Sequence, residues 1–261
     1  MNRWKASGFH FCLSLLVIGS IAGLVFLLWY PHGLWRIAGL DRLFVVMLGI
    51  DIVAGPLLTL VVYNRAKPEL RRDLATIAVL QLAFLGYGLH VTWESRPVFL
   101  VGSGNAFDLI FASQVADEDL VKGAKPEWRR LSWFGPRLVG TRMPTDPKQH
   151  AQVMNRFMAG GPGIERLPQW YIEYARAAPE MLQRSRPAQG VREITDADVR
   201  ATGLPREQLR WVAIASLRDE GIVLLDARTG LPQRTLAVIP KEPKPAPARA
   251  DKGAMKDGTS R

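Results

Sequence analysis

The sequence has 261 residues, a net charge of +10 and an apolar fraction of 48%, a length that suits about two domains. The positive charge does not indicate a nucleic-acid-binding protein, because the cations flank apolar segments or lie near the C-terminus and form no basic helix with interleaved aromatic residues. The single cysteine, Cys12, excludes disulfide bonds within the chain and metal sites built from several cysteines.

The first apolar segment predicts an uncleaved transmembrane helix over residues 9–30. A signal peptide is the alternative, since a short basic stretch precedes the segment. The apolar run is longer than a signal-peptide core of about 7–15 residues, and it ends in Trp29 and Tyr30 rather than at a small-residue cleavage site. Gly19 and Gly23 form a small-xxx-small pattern. This pattern permits close helix approach, either in ordinary packing within the protein or at a site for a partner helix.

The second apolar segment predicts a transmembrane helix over residues 43–63, because about 20 apolar residues cross a hydrocarbon core of roughly 30 Å. Asp51 lies near its middle, where a charged carboxylate would cost at least about 2.5 kcal/mol. Pro56 follows Gly55 and has no N–H to donate to the Ile52 carbonyl. We therefore expect the helix to be kinked at this point.

The polar and small residues of the second helix share one face. Asp51, Gly55 and Thr59 are spaced four apart, and Gln81 of the third apolar segment falls at a similar depth. A protonated Asp51 that donates a hydrogen bond to Gln81 would satisfy both groups without a buried charge. Two other interpretations stay open: the face receives a partner's transmembrane helix, or Asp51 belongs to a proton or ion pathway.

A third transmembrane helix is predicted over residues 74–93. The N-terminus and the loop over residues 64–73 together carry six Lys or Arg residues, and the first loop carries fewer. Because positive flanks stay in the cytoplasm, we expect the N-terminus inside and everything after Trp93 outside. The expected location is therefore the bacterial inner membrane, with a transmembrane domain over 1–95 and a periplasmic domain over 96–239.

The outer domain is predicted to be a small α+β unit. Its order of strands, helices and further strands favours a sheet with the helices on one side. Predicted strands cover 97–101, 107–111, 210–216, 221–226 and 234–239, and an aromatic strand or turn covers 131–139. Predicted helices cover 145–158, which starts with a capping residue followed by Pro147, and 168–177, with a further capped helix within 191–202. Residues 240–261 lack aromatic residues and are rich in Pro, Lys, Ala and Asp, which predicts a disordered basic tail.

Four aromatic residues of this domain are candidates for contact with a partner, in the manner of aromatic anchors at protein interfaces. They are Trp128, Trp133, Trp170 and Tyr171. The competing interpretation places them in the core, and a structure in which all four are fully buried would exclude the anchor role.

No catalytic constellation is found in the sequence. The four histidines are His10, His32, His90 and His150, and they show no metal-ligand spacing. Ser103 lies in a Gly-Ser-Gly turn that is not a nucleophile elbow. We therefore expect a protein that is not an enzyme and uses no metal or other cofactor.

Several short motifs are spread over residues 1–180. They are Arg3-Trp4-Lys5-Ala6, Trp29-Tyr30-Pro31, Asp41-Arg42-Leu43, the block over 49–64, Arg96-Pro97-Val98, and Gly160-Gly161-Pro162 with Pro168 and Tyr171. In combination they resemble the TfpX/TfpZ family of type IV pilin accessory proteins, which includes the FimB-like proteins. One segment departs from the family pattern, since residues 102–107 replace its Asp-Arg-Phe element.

The resemblance implies an inner-membrane accessory protein that assists or modulates the assembly of a cognate type IV pilin, with no known catalytic residues and no cofactor. The helices would hold the apolar helix of pilin before polymerisation, and the outer domain would contact its globular head. The competing class is a membrane-tethered sensor that binds a small ligand. A transporter and a pilin-modifying enzyme fit the sequence less well, and the oligomeric state stays open.

Overall fold

The computed structural model describes residues 2–39, 49–64 and 66–240, except for the side chains of Ile50 and Asp51. The predicted tail over 240–261 lies outside these ranges apart from its first residue, as does the predicted start of the second transmembrane helix. Statements about packing refer to the described residues.

The described residues of the N-terminal part of the chain are mostly helical. The helices are α1 Arg3–Trp29, a 3₁₀ turn Pro31–Gly33, α2 Leu34–Ile37, a π-helical segment Gly49–Ala54, α3 Gly55–Val62 and α4 Leu70–Glu94. Two of them, α1 and α4, are long and apolar enough to cross a membrane. The predicted helices over 9–30 and 74–93 are thus present, and each begins earlier in the chain than expected.

The described part of the segment predicted as the second transmembrane helix is too short to cross a membrane by itself. It contains an apolar helix over Ile52–Val62, which is shorter than the run of about 20 residues that a membrane crossing needs. The irregularity expected at Pro56 takes the form of the π-helical segment just before α3. Proline removes one i→i−4 hydrogen bond, and π-helical turns accommodate such a local change in pairing.

The C-terminal part of the described chain is built on one mixed β-sheet. Its strands are β1 Pro97–Ser103, β2 Ala106–Phe111, β3 Arg137–Thr141, β4 Tyr171–Glu173, β5 Arg186–Pro187, β6 Leu209–Ala215, β7 Glu220–Asp226 and β8 Pro232–Leu236. The strand order is β4-β3-β1-β2-β6-β7-β8, and β5 pairs with β6. β1 and β2 form the predicted antiparallel hairpin, whereas the β1–β3 and β2–β6 pairs are parallel.

Helices in this part follow the sequence prediction only in places. They are α5 Asp117–Leu120, α6 Pro147–Met158, α7 Tyr174–Arg184 and α8 Asp196–Thr202, with 3₁₀ turns at Ala112–Gln114, Pro126–Arg129, Ile164–Arg166, Pro168–Trp170 and Arg206–Gln208. The caps predicted ahead of α6 and α8 are present at Asp146 and Thr195. The predicted helix over 168–177 is wrong, because Tyr171 and Ile172 pair with β3 as an edge strand and the helix begins only at Tyr174.

Helices cover both faces of the sheet, so the predicted arrangement on one side is also wrong. On one face, Phe107 and Val223 pack with Tyr174 and Met181 of α7. On the other face, one cluster lies around Phe99 and Trp128, and a second lies against α8. Neighbouring residues of a strand point to opposite faces, and the apolar runs of β1 and β7 therefore need cover on both sides.

The segment that follows α1, which includes the 3₁₀ turn and α2, is part of the sheet core. Tyr30, Leu34 and Ile37 are buried in the same cluster as β6 and β7, and the Ser216 hydroxyl donates to the Ile37 carbonyl at 2.7 Å. At Gly33, which has φ +85°, a Cβ would lie 2.8 Å from the Thr235 carbonyl oxygen. The predicted division at residue 95 therefore needs one addition: the connection over 30–39, called here the docked connection, packs with the sheet.

We predict that Ile37→Ala destabilises the full chain by about 2–5 kcal/mol, the usual effect of truncating a fully buried Ile. Ile37 is 0% exposed, and removing its side chain opens a cavity beneath β7. The free energy of unfolding is measured by urea titration of the detergent-purified protein. Ile239→Ala is the matched control, because Ile239 is 68% exposed, and equal losses in the two variants would contradict this packing.

Candidate functional site

Three polar side chains meet between the apolar helices. His10 of α1 lies with Nδ1 2.6 Å from Thr59 Oγ1 of α3 and with Nε2 2.7 Å from Gln81 Oε1 of α4. Thr59 is buried, and His10 and Gln81 are half-buried. We call these residues the polar cluster. Each of the three helices contributes one member.

The chemistry of the partners assigns the ring nitrogens. An amide oxygen only accepts hydrogen bonds, so His10 Nε2 carries a hydrogen and donates it to Gln81. In the neutral ring, Nδ1 then accepts from the Thr59 hydroxyl. Interhelical hydrogen bonds between such side chains each contribute about 0.6–2 kcal/mol in membranes, and this cluster therefore fixes the register of three apolar helices.

Gly55 makes room for Gln81. A Cβ at Gly55 would lie 2.1 Å from Gln81 Nε2 and 2.7 Å from Gln81 Cδ, so any side chain at position 55 would force the Gln81 amide to move. In the space that Gly55 leaves, the Gln81 amide packs beside α3, and its oxygen lies 2.7 Å from His10 Nε2. The sequence predicted that Asp51, Gly55 and Thr59 share one face of the second helix and that Gln81 lies at a similar depth. In the structure Gly55 lies beside Gln81, and His10 links Thr59 to Gln81.

Pro56 belongs to the same contact between α1 and α3. Its carbonyl oxygen accepts a hydrogen bond from the Ser7 hydroxyl at 2.9 Å, one turn of α1 before His10. Gly55, Pro56 and Thr59 are the buried residues of α3, which shows that one face of this helix packs against its neighbours.

The Asp51 side chain lies outside the described part of the structure, although its backbone belongs to the π-helical segment. The predicted hydrogen bond between Asp51 and Gln81 therefore stays a prediction. One described partner of Gln81 is His10.

Sequence reasoning missed His10. It was considered only as a metal ligand and set aside for lack of spacing. A usable signal was available, since a histidine just inside an apolar run needs a hydrogen-bond partner within the membrane. Thr59 and Gln81 were the candidate partners on the other predicted helices.

Gly19 and Gly23 lie apart from the polar cluster. Among the described residues, nothing comes within 4 Å of a Cβ built at either position, and Gly19 is exposed. The described helices thus do not use this pattern for packing among themselves.

The C-terminal ends of α1 and α4 meet at an aromatic junction beside the sheet. The rings of Trp29 and Trp133 both pack edge-on against Trp93, with centroid distances of 5.7 Å and 5.0 Å. The Arg96 guanidinium lies 3.6 Å above the Trp93 ring and donates from Nη1 to the Trp93 carbonyl at 2.8 Å. The Tyr30 hydroxyl donates to the Ser95 carbonyl at 3.0 Å. These contacts hold the two helix ends together.

The four aromatic candidates separate by burial. Trp128 and Tyr171 are buried in the sheet core, and burial raises the pKa of Tyr171 well above its usual value. The Tyr171 hydroxyl donates to the Glu165 carbonyl at 2.6 Å. Trp128 and Tyr171 therefore cannot contact a partner at the surface, because their rings fill the space between the sheet and its short helices. Trp170 is half-buried and Trp133 is exposed.

Comparison with known proteins assigns the chain to a family. The family model for the fimbrial assembly protein FimB matches residues 1–39. A fimbrial assembly protein of serogroup I from Dichelobacter nodosus is 30% identical over 185 residues, which are 70% of this chain and 71% of the relative. The chain belongs to the FimB family of fimbrial assembly proteins. No solved structure gives a significant match.

Other FimB relatives from Dichelobacter nodosus agree with this assignment. The serogroup E1 protein is 29% identical over the same share of both chains, and the protein of serogroups C1 and C2 is 41% identical over 99 residues, which are 37% of this chain and 76% of that relative. The stretch matched by the FimB model contains α1 and the docked connection. It therefore includes His10 and the residues that complete the sheet core.

We predict that Gly55→Ala lowers stability by about 1–3 kcal/mol, the usual effect of overpacking, because the added methyl group displaces the Gln81 amide from His10. The melting temperature of the purified protein is the measurement, and Gly19→Ala is the control, since the described residues leave that position open. The stability loss of the double variant Gly55→Ala/Gln81→Ala should be smaller than the sum of the losses of the two single variants, because both substitutions act on one contact. Equal effects of the two glycine substitutions would contradict this account.

Proposed function

We propose that this chain is an inner-membrane protein that assists the assembly of a type IV pilin by binding it before polymerisation. The observation that carries the proposal is the similarity over 185 residues to a protein named for fimbrial assembly. The motifs that resemble those of the TfpX/TfpZ pilin accessory proteins support the same role. The proposal assigns binding rather than catalysis to the chain and needs no cofactor.

The packing of the helices supports a three-span topology. α1 and α4 meet at their C-terminal ends through Tyr30 and Ser95 and closer to their N-terminal ends through His10 and Gln81, so they run parallel. Two parallel spans require the chain to return across the membrane between them. The segment that includes α3 supplies this return, and the docked connection then lies on the same side as the sheet, in the periplasm.

An exposed stripe of α1 is the surface we assign to the pilin helix. Leu16, Gly19, Gly23 and Leu27 recur at intervals of three and four residues and therefore line one side of the helix. Both leucines are exposed, and no described residue comes within 4 Å of a Cβ built at either glycine. Small residues let a second helix approach closely, and the flanking leucines add apolar contact.

The stripe suits a pilin subunit because the unassembled pilin is held in the membrane by an apolar N-terminal helix. Helix association in lipid depends on close packing, since the lipid chains are as apolar as leucine. A stripe with a shallow centre and apolar edges meets this requirement. The polar cluster lies elsewhere in the bundle, so α1 stays fixed in register while its stripe is occupied.

We predict that a photocrosslinker placed at Leu27 or Leu16 captures the pilin of the same strain in living cells. Leu82 of α4 is the control position, because it is also exposed but lies on another helix. Adducts are identified with an antibody against pilin. Capture from α1 alone supports the stripe as the pilin site, whereas equal capture from Leu82 or no capture at normal expression contradicts it.

A further inference from the structure

A short loop beside the helix ends exposes two large aromatic side chains. Trp133 is 65% exposed and Phe134 is 72% exposed. Both lie between the 3₁₀ turn Pro126–Arg129 and β3. Two adjacent exposed aromatic rings form an apolar patch, and such patches often mark a site of contact with a protein or a membrane.

The backbone of this loop is held in place from several sides. The buried Arg96 donates from Nε to the Ser132 carbonyl at 3.2 Å, and the Arg137 guanidinium donates to the carbonyls of Glu127 and Arg130. Gly135 has φ +61°, a conformation that glycine adopts without strain. The two rings are thus presented by a fixed loop.

The loop packs against the C-terminal ends of the apolar helices α1 and α4. Trp29 Nε1 donates to the Trp133 carbonyl at 2.9 Å, and the Trp133 and Trp93 rings are 5.0 Å apart. A Cβ built at Gly135 would lie 3.6 Å from the carbonyl oxygen of Leu28, in the last turn of α1. The loop therefore sits at the level of the C-terminal ends of α1 and α4.

We propose that Trp133 and Phe134 insert into the outer boundary of the lipid bilayer and anchor the sheet domain to the membrane surface. This inference rests on the membrane placement under the proposed function, not on pilin binding. Tryptophan is enriched at the membrane interface, where its ring is apolar and its N–H remains hydrated. With Trp29 and Trp93, Trp133 forms a continuous aromatic patch at one level.

Charge around the loop fits a lipid headgroup layer. Arg129 and Arg130 precede the two rings and are exposed. A guanidinium binds phosphate groups well, and aromatic insertion with flanking cations suits an anionic bilayer. We assign the phosphate groups that these guanidinium groups bind to lipid headgroups, because the two aromatic rings extend the surface of the membrane helices and do not line a separate cavity.

The test places a nitroxide spin label on the loop of the full chain in phospholipid vesicles that contain phosphatidylglycerol. Cys12→Ser removes the native cysteine, and Phe134→Cys supplies the labelled position. Leu231→Cys is the control, because Leu231 is exposed in the turn between β7 and β8, at the end of β7 away from the docked connection. The collision rates of the label with oxygen and with a water-soluble nickel complex are measured.

We expect the ratio of oxygen to nickel collisions at residue 134 to be several-fold higher than at residue 231, since oxygen concentrates in lipid and the nickel complex is excluded. Equal ratios at the two positions would show that the loop lies in water and would overturn the proposal. Low collision rates with both reagents at residue 134 would show burial in a protein interface, which also overturns it. None of these readings depends on pilin, so the result stands apart from the pilin crosslinking experiment.

Discussion

The docked connection is the contact on which the rest of the structure depends. This segment follows α1 directly and packs beneath β6 and β7 with the side chains of Tyr30, Leu34 and Ile37. Its burial removes large apolar side chains from water. This packing joins the sheet to the end of α1, and the aromatic junction joins it to the end of α4. The sheet therefore has a fixed position relative to the helices.

Within the apolar bundle, polar contacts set the positions of the helices relative to one another. Apolar helices gain little from meeting one another in lipid, because the lipid chains are equally apolar. The polar cluster supplies directional contacts between all three helices, and Gly55 provides the space that Gln81 needs. One surface of α1 is left uncovered by the described residues, and this surface is where we place the pilin helix.

The sequence predicted the features that depend on local pattern. The length of the apolar segments predicted α1 and α4, and turn residues predicted the β1–β2 hairpin. Capping residues predicted where α6 and α8 begin. It failed where distant residues decide the outcome. His10 and Gln81 are 71 positions apart, and the edge strand at Tyr171 exists because β3 lies beside it. Helices on both faces follow from the mixed strand order, which no local pattern encodes.

The packing of the docked connection against the sheet is tested most directly by measuring on which side of the membrane each of the two lies. In a Cys12→Ser background, single cysteines at Arg36, Leu231 and Glu69, all exposed positions, are treated with a membrane-impermeant thiol reagent in spheroplasts. Our account predicts that Arg36→Cys and Leu231→Cys react from outside, whereas Glu69→Cys reacts only after the membrane is permeabilised. Protection of Arg36→Cys together with Glu69→Cys would place the connection away from the sheet and contradict the account.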